Sequence, residues 1–186
     1  LNGMGTLETP EFLASKIDLF GGPEAYNHYA VGWAHAMDTP YQWTKQVASH
    51  WGGTRNGTIV SWPTGIKTKG EIRSQFHHVI DILPTVLEAT KLQAPVSING
   101  VAQDPIDGTS MAYTWDDAKA AGHRKTQYFE LFGNRGIYHD GWLANTTPRN
   151  MPWHIAQSRA GSDTSTYDWE LYDLESDFSQ ARNLAA

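Results

Sequence analysis

Thr39-Pro40-Tyr41-Gln42-Trp43-Thr44-Lys45, followed shortly by Ser49-His50-Trp51-Gly52-Gly53-Thr54-Arg55, sets one lysine, one histidine and one arginine around a glycine pair. An ammonium is a compact charge with three donors and a guanidinium is a planar fork, so together they can hold a tetrahedral oxyanion from two directions. Paired glycines let backbone come close to such a group without a side chain in the way. Lys45, His50 and Arg55 are therefore candidate anion-binding residues, His50 serving as donor or general acid. By spacing alone, two solvated surface charges and one satisfied polar histidine account for the same pattern.

Around this block the chain reads as part of an ordinary globular protein. It has 186 residues, a formal charge of -6 and no cysteine. The acidic balance argues against a nucleic-acid surface, and the missing cysteine removes disulfides, thiol catalysis and thiolate metal sites together. Apolar runs such as Val79-Ile80 and Ile82-Leu83 stop far short of the roughly 18 residues of a membrane span. A soluble chain follows, with cytoplasm and periplasm left open. Leu1-Asn2-Gly3-Met4-Gly5-Thr6 has no charged and apolar regions of a signal peptide and reads as the middle of a longer polypeptide.

Residues 1–40 are expected to be mostly packed loop, with one helix over Pro10–Leu19 capped by Thr9. Thr58–Trp62 is β-branched and apolar, which predicts a short buried strand suited to a parallel sheet interior. Asp81 caps a predicted helix from Ile82 to about Lys91 with Leu83, Val86 and Leu87 on one apolar face. Asn99-Gly100 marks a turn and Asp116–Ala121 a short second helix. Thr126–Phe132, Gly136–Asn145 and Thr166–Asp173 then read as antiparallel strands, the first two joined through Gly133-Asn134-Arg135-Gly136. The chain divides into an α/β part over 1–110 and a smaller antiparallel α+β part over 111–186.

Other chemistry is thin. His77 and His78 are adjacent but fall into no metal-ligand spacing, which leaves them a structural role. Eight tryptophans could form a carbohydrate platform, but Trp33, Trp43, Trp51, Trp62, Trp115, Trp142, Trp153 and Trp169 are spread through every segment, as core filling would be. No phosphate loop, dinucleotide fingerprint or Gly-x-Ser-x-Gly elbow is present. No recognisable nucleophile exists either.

Several blocks, in register, resemble bacterial arylsulfatases of the alkaline-phosphatase-like superfamily. They are Gly32-Trp33-Ala34, Thr39-Pro40, Lys45 with His50–Arg55, Trp62-Pro63, His78–Glu88, Asn99-Gly100-Val101, Pro105–Ser110, Tyr128-Phe129-Glu130, Gly133-Asn134-Arg135, Asp140-Gly141-Trp142, Trp169–Leu174 and Asn183-Leu184-Ala185. The resemblance implies an α/β fold, the C-terminal part of a sulfatase core followed by a small antiparallel sheet with a helix. It implies sulfate ester hydrolysis by a formylglycine made from Cys or Ser in Cys/Ser-x-Pro-x-Arg, beside a calcium ion. Lys45 matches the family's sulfate-contacting lysine and is the one catalytic assignment, with His50 and Arg55 as further substrate-binding neighbours.

The formylglycine motif and the calcium-binding Asp-Asp and Asp-Asn pairs have no counterpart here, so no metal or cofactor ligand is assigned to this chain. Leu1-Asn2-Gly3 looks like the segment after that Asp-Asn pair. The expected partners are thus the N-terminal part of the same polypeptide and a small sulfate ester, and the isolated chain is expected to be inactive. Two alternatives remain, a phosphate or phosphonate ester hydrolase of the same superfamily and a carbohydrate-binding module.

Overall fold

A computed structural model of the chain describes residues 9–25, 30–146 and 164–185; Leu1-Asn2-Gly3 and Trp153 lie outside them. Alternating side chains build a four-stranded antiparallel sheet from β3 (Thr126–Leu131), β4 (Asn134–His139), β5 (Trp142–Thr146) and β6 (Trp169–Asp173), ordered β3-β4-β5-β6. Its register sets Tyr138 opposite Leu143 and Leu143 opposite Tyr172, then Gly136 opposite Asn145 and Asn145 opposite Glu170. Those residues share one face, because side chains two apart on a strand point the same way. On it Leu143, Tyr172 and Leu174 form a buried cluster, with Trp51 and Tyr138 packed against it. Each such side chain contributes on the order of 2 kcal/mol by leaving water. The opposite face is open, with Tyr128 53%, Ile137 40%, Trp142 44% and Trp169 52% exposed.

The expected strand over Gly136–Asn145 is in fact two strands. Asp140 and Gly141 turn between them with φ of 44° and 91°, and Phe132-Gly133 makes the same kind of turn at 55° and 82° before β4. Two consecutive positive φ values give the hairpin turn whose twist matches the strands it joins, and Asp-Gly is a dipeptide that adopts it readily. Asn99-Gly100, φ 50° and 82°, likewise joins the two short strands β1 (Ser97–Ile98) and β2 (Val101–Ala102). That turn stands where the sequence puts it.

The helices need more correction. Pro10–Leu19 is broken into α1 (Pro10–Ala14), capped by the Thr9 hydroxyl, and a 3-10 turn over Ile17–Leu19. Ser15 turns its hydroxyl onto the Phe12 carbonyl at 2.7 Å, and neither piece buries a residue. A helix that short has no packing to sustain it. Residues 31–38, expected as loop, form α2 (Val31–Asp38). Asp116–Ala121 is not helical, because Gln75 takes the Ala118 and Ala120 carbonyls at 3.0 and 2.9 Å. A 3-10 turn over Ala112–Thr114 precedes it.

Thr58–Trp62 is not a buried strand. It forms no regular structure, Ile59 is 96% exposed, and among the described residues no strand lies beside it. β-branched sequence fits a sheet only where a neighbour supplies the hydrogen bonds. The tryptophan expectation holds only in part: Trp43, Trp51 and Trp115 are half-buried, Trp51 against the sheet cluster, while Trp33, Trp62, Trp142 and Trp169 are exposed. Among the described residues few apolar side chains are buried enough to cover the rest, namely Val47, Leu143, Tyr167, Tyr172 and Leu174.

Helix α4 (Ile82–Thr90) follows a 3-10 turn over Val79–Asp81 and ends at Lys91 in the left-handed conformation. Its apolar face exists but points outward, with Leu83 55% and Val86 51% exposed. Inward it presents Asp81, which takes the Thr85 hydroxyl on its carbonyl at 2.6 Å, and Thr85, whose oxygen accepts the Met111 amide at 2.8 Å. Among the described residues no helix is long and apolar enough to cross a membrane. The fold is mixed, with short helices around small antiparallel sheets.

Candidate functional site

The segment from Thr39 to Arg55 is laid across the buried face of the sheet. Val47, Ser49 and His50 are buried. Ser49 can lie there because β4 has Gly136 beneath it; a Cβ at Gly136 would come within 3.2 Å of the Ser49 carbonyl oxygen. That oxygen accepts the Asn145 side-chain amide at 2.7 Å. Gln180, fully buried, accepts the Trp51 amide at 2.9 Å and offers its own carbonyl to Gln42.

His50 is 1% exposed and both ring nitrogens are engaged, Nδ1 with the Ser49 hydroxyl at 2.9 Å and Nε2 with Glu170 Oε2 at 3.0 Å. Tyr172 donates its hydroxyl to the same carboxylate oxygen at 2.9 Å. Burial first, then the bond to Glu170 and its charge, push the Tyr172 hydroxyl up well beyond its ordinary value. With Nε2–H donated to Glu170, Nδ1 is left to accept the Ser49 hydroxyl, so both ring nitrogens have a partner.

The glycine pair is used by the protein itself. Trp51–Thr54 forms the single turn α3. A Cβ on Gly52 would strike the carbonyls of Gln42 and Trp43, and one on Gly53 those of Val47 and Thr44. The close approach expected for a ligand is thus made by the backbone of the Lys45 loop. Gly52 donates to the Gln42 carbonyl at 3.0 Å and closes the contact.

Lys45 stands at the tip of this loop, exposed, between Trp43 and Gln46 with φ of 64° and 77°. Among the described residues no carboxylate lies within ion-pair distance of it. Arg55 is also exposed, its guanidinium 4.2 Å from the Trp51 ring centre and 5.2 Å from that of Tyr41. Lys45 and Arg55 are therefore surface cations, whereas His50 is interior. The anchors missed by the sequence reading are Asn145, Glu170 and Gln180. A signal existed for Glu170, a carboxylate two residues from apolar Tyr172 and so on the same strand face. Among the described residues no group of three or more His, Asp or Glu side chains could hold a metal ion.

No protein-family model matches the chain. An uncharacterized sulfatase of Schizosaccharomyces pombe is 28% identical over 187 residues, covering 98% of this chain and 30% of that protein. This chain resembles the C-terminal region of a sulfatase. A solved Bacteroides thetaiotaomicron sulfatase chain, described under the metabolism of multiple glycosaminoglycans, shares the fold with a TM-score of 0.50 and 20% identity, over 75% of this chain and 27% of that one. The sulfatase-like chain thus spans under a third of the length of the relatives it matches.

Proposed function

We propose that this chain forms part of a sulfuric ester hydrolase and that Lys45 meets the sulfate oxygens of the substrate. The observation behind the activity is similarity to a sulfatase along 98% of the chain. Behind the residue is an exposed ammonium with no acidic partner among the described residues, on a loop fixed by buried hydrogen bonds. Such a cation neutralises charge that concentrates on the sulfate oxygens in the transition state, and it needs no reorganisation to do so. In this reading formylglycine and calcium are supplied from outside residues 1–186.

Lys45→Ala in the complete enzyme is expected to slow aryl sulfate hydrolysis about a hundredfold, the usual effect of removing one preorganised donor. An unchanged rate sinks the assignment. The isolated chain is expected to hydrolyse no sulfate ester. Parallel assays on aryl sulfate and aryl phosphate separate the reading from a phosphate or phosphonate hydrolase of the same superfamily. A carbohydrate-binding surface has one observation of its own, since Trp142 and Trp169 share the open face of the sheet. Quenching of tryptophan fluorescence by a sugar, lost in Trp142→Ala, is its test.

A further inference from the structure

We infer that Glu170 is a positioning residue for Lys45, acting through His50; the inference rests on the sulfate-contacting role of Lys45. From the β6 carboxylate, Oε2 reaches His50 Nε2 at 3.0 Å. The His50 amide then donates to the Val47 carbonyl at 3.3 Å, and the Val47 amide to the Thr44 carbonyl at 3.2 Å. Thr44 is the residue next to Lys45. On the other side the Gly53 amide donates to the His50 carbonyl at 3.0 Å and holds the glycine turn on which the loop rests. His50 is thus the point where the lysine loop, α3 and the sheet are tied.

The carboxylate at this place both pairs the interior imidazole and aims it. Glu170 is on the strand face that carries Tyr172 and Leu143, and removing it alone leaves the interior His50 ring nitrogen without its partner, a cost in stability. What a carboxylate adds is direction, because it fixes the imidazole ring in one orientation through Nε2 while Ser49 holds Nδ1. A leucine there would fill the space and leave the ring free to turn. Tyr172 in turn fixes the carboxylate, donating to the oxygen that receives His50. A loop displaced by about 1 Å at a charge-stabilising group can cost about a hundredfold in rate.

The test is a double-mutant cycle in the complete enzyme with an aryl sulfate. Lys45→Ala, Glu170→Ala and the pair are compared for kcat and KM, with thermal unfolding followed alongside. Glu170→Ala is expected to lower kcat by about tenfold to a hundredfold, and the pair to fall no further than Lys45→Ala alone, while the losses of thermal stability add. Glu170→Gln, which keeps an acceptor for His50, is expected to restore most of the rate. If the two kcat factors multiply, Glu170 does not act through Lys45 and the inference falls while the lysine assignment stands. If Lys45→Ala is without effect, both fall. Should Glu170→Ala not fold, His50→Gln takes its place in the cycle with the same expected outcomes.

Discussion

Arg124 grips both carboxylate oxygens of Asp81, a side chain with no solvent exposure. The same oxygens accept the backbone amides of His78 at 2.9 Å and Thr109 at 2.8 Å, so one carboxylate ties the start of α4 to residues on either side of it. Burial by itself would raise this acid; the guanidinium and the two amides outweigh it and hold it at about 2, below the ordinary 3.8. The folded chain therefore binds the proton less readily than the unfolded chain. The resulting stabilisation, about 2 kcal/mol, is complete above about pH 5 and is lost as pH falls through about 4 toward 2. Urea unfolding across that range should show the loss in the native sequence. In Asp81→Asn the contribution should be absent at every pH, with a further penalty for an unpaired Arg124. Equal pH slopes in the two proteins would contradict this account.

Gly52 and Gly53 are predicted to tolerate no side chain. Each Cβ would meet backbone carbonyls of the Lys45 loop rather than a flexible side chain, so the loop itself has to move. Gly52→Ala should cost about 1–3 kcal/mol as overpacking and lower sulfate ester hydrolysis in the complete enzyme. Gly57→Ala is the control, since nothing lies within 4 Å of its Cβ position. Thermal unfolding of the two variants decides it; equal midpoints would remove the glycine pair from the account of the loop.

Legibility followed the range of the interactions. The turn at Asn99-Gly100, though not the short strands it joins, and the strand β3 were readable, because turn chemistry and alternation are local signals. The Asp140-Gly141 turn carries the same signal but lies inside a longer β-prone run that masks it. Thr58–Trp62 misled because its composition reports only fitness for a sheet, and the neighbouring strand it needs is not among the described residues. At the site, the interior position of His50 was not legible. Its place depends on Glu170, which is 120 residues away, and on Gly136, whose bare backbone admits Ser49. Nothing in the local sequence of either reports that contact.

The outward apolar surface predicts how the isolated chain behaves. Ile59 is 96% exposed, Val79 70%, Leu83 55% and Val86 51%, and such side chains favour association when they lie together. Size-exclusion chromatography with light scattering should find the chain self-associated or retained on the column. Leu83→Lys with Val86→Glu should relieve this without a large change in unfolding midpoint, because both positions already face solvent. A monodisperse monomer in the unaltered chain would argue that this surface needs no cover.

Arg55 offers a way to separate packing from anion recognition. Its guanidinium lies over Trp51 and Tyr41, and Tyr41 also meets Phe178 with ring centres 6.1 Å apart, so the arginine covers the aromatic group that seats α3 on the sheet. Cation–π contact at an exposed site is worth about 0.5–1 kcal/mol. Arg55→Lys retains the charge but loses the planar face and fork, whereas Arg55→Met retains much of the covering stem and loses the charge. If Arg55 meets the substrate sulfate, both variants should raise KM for an aryl sulfate, Met more than Lys, and the difference should shrink as salt is added. If its work is packing alone, KM stays constant in both. The unfolding midpoint then drops by the few degrees expected of a loss below 1 kcal/mol. Steady-state kinetics of the two variants at low and high ionic strength, in the complete enzyme, distinguish the outcomes.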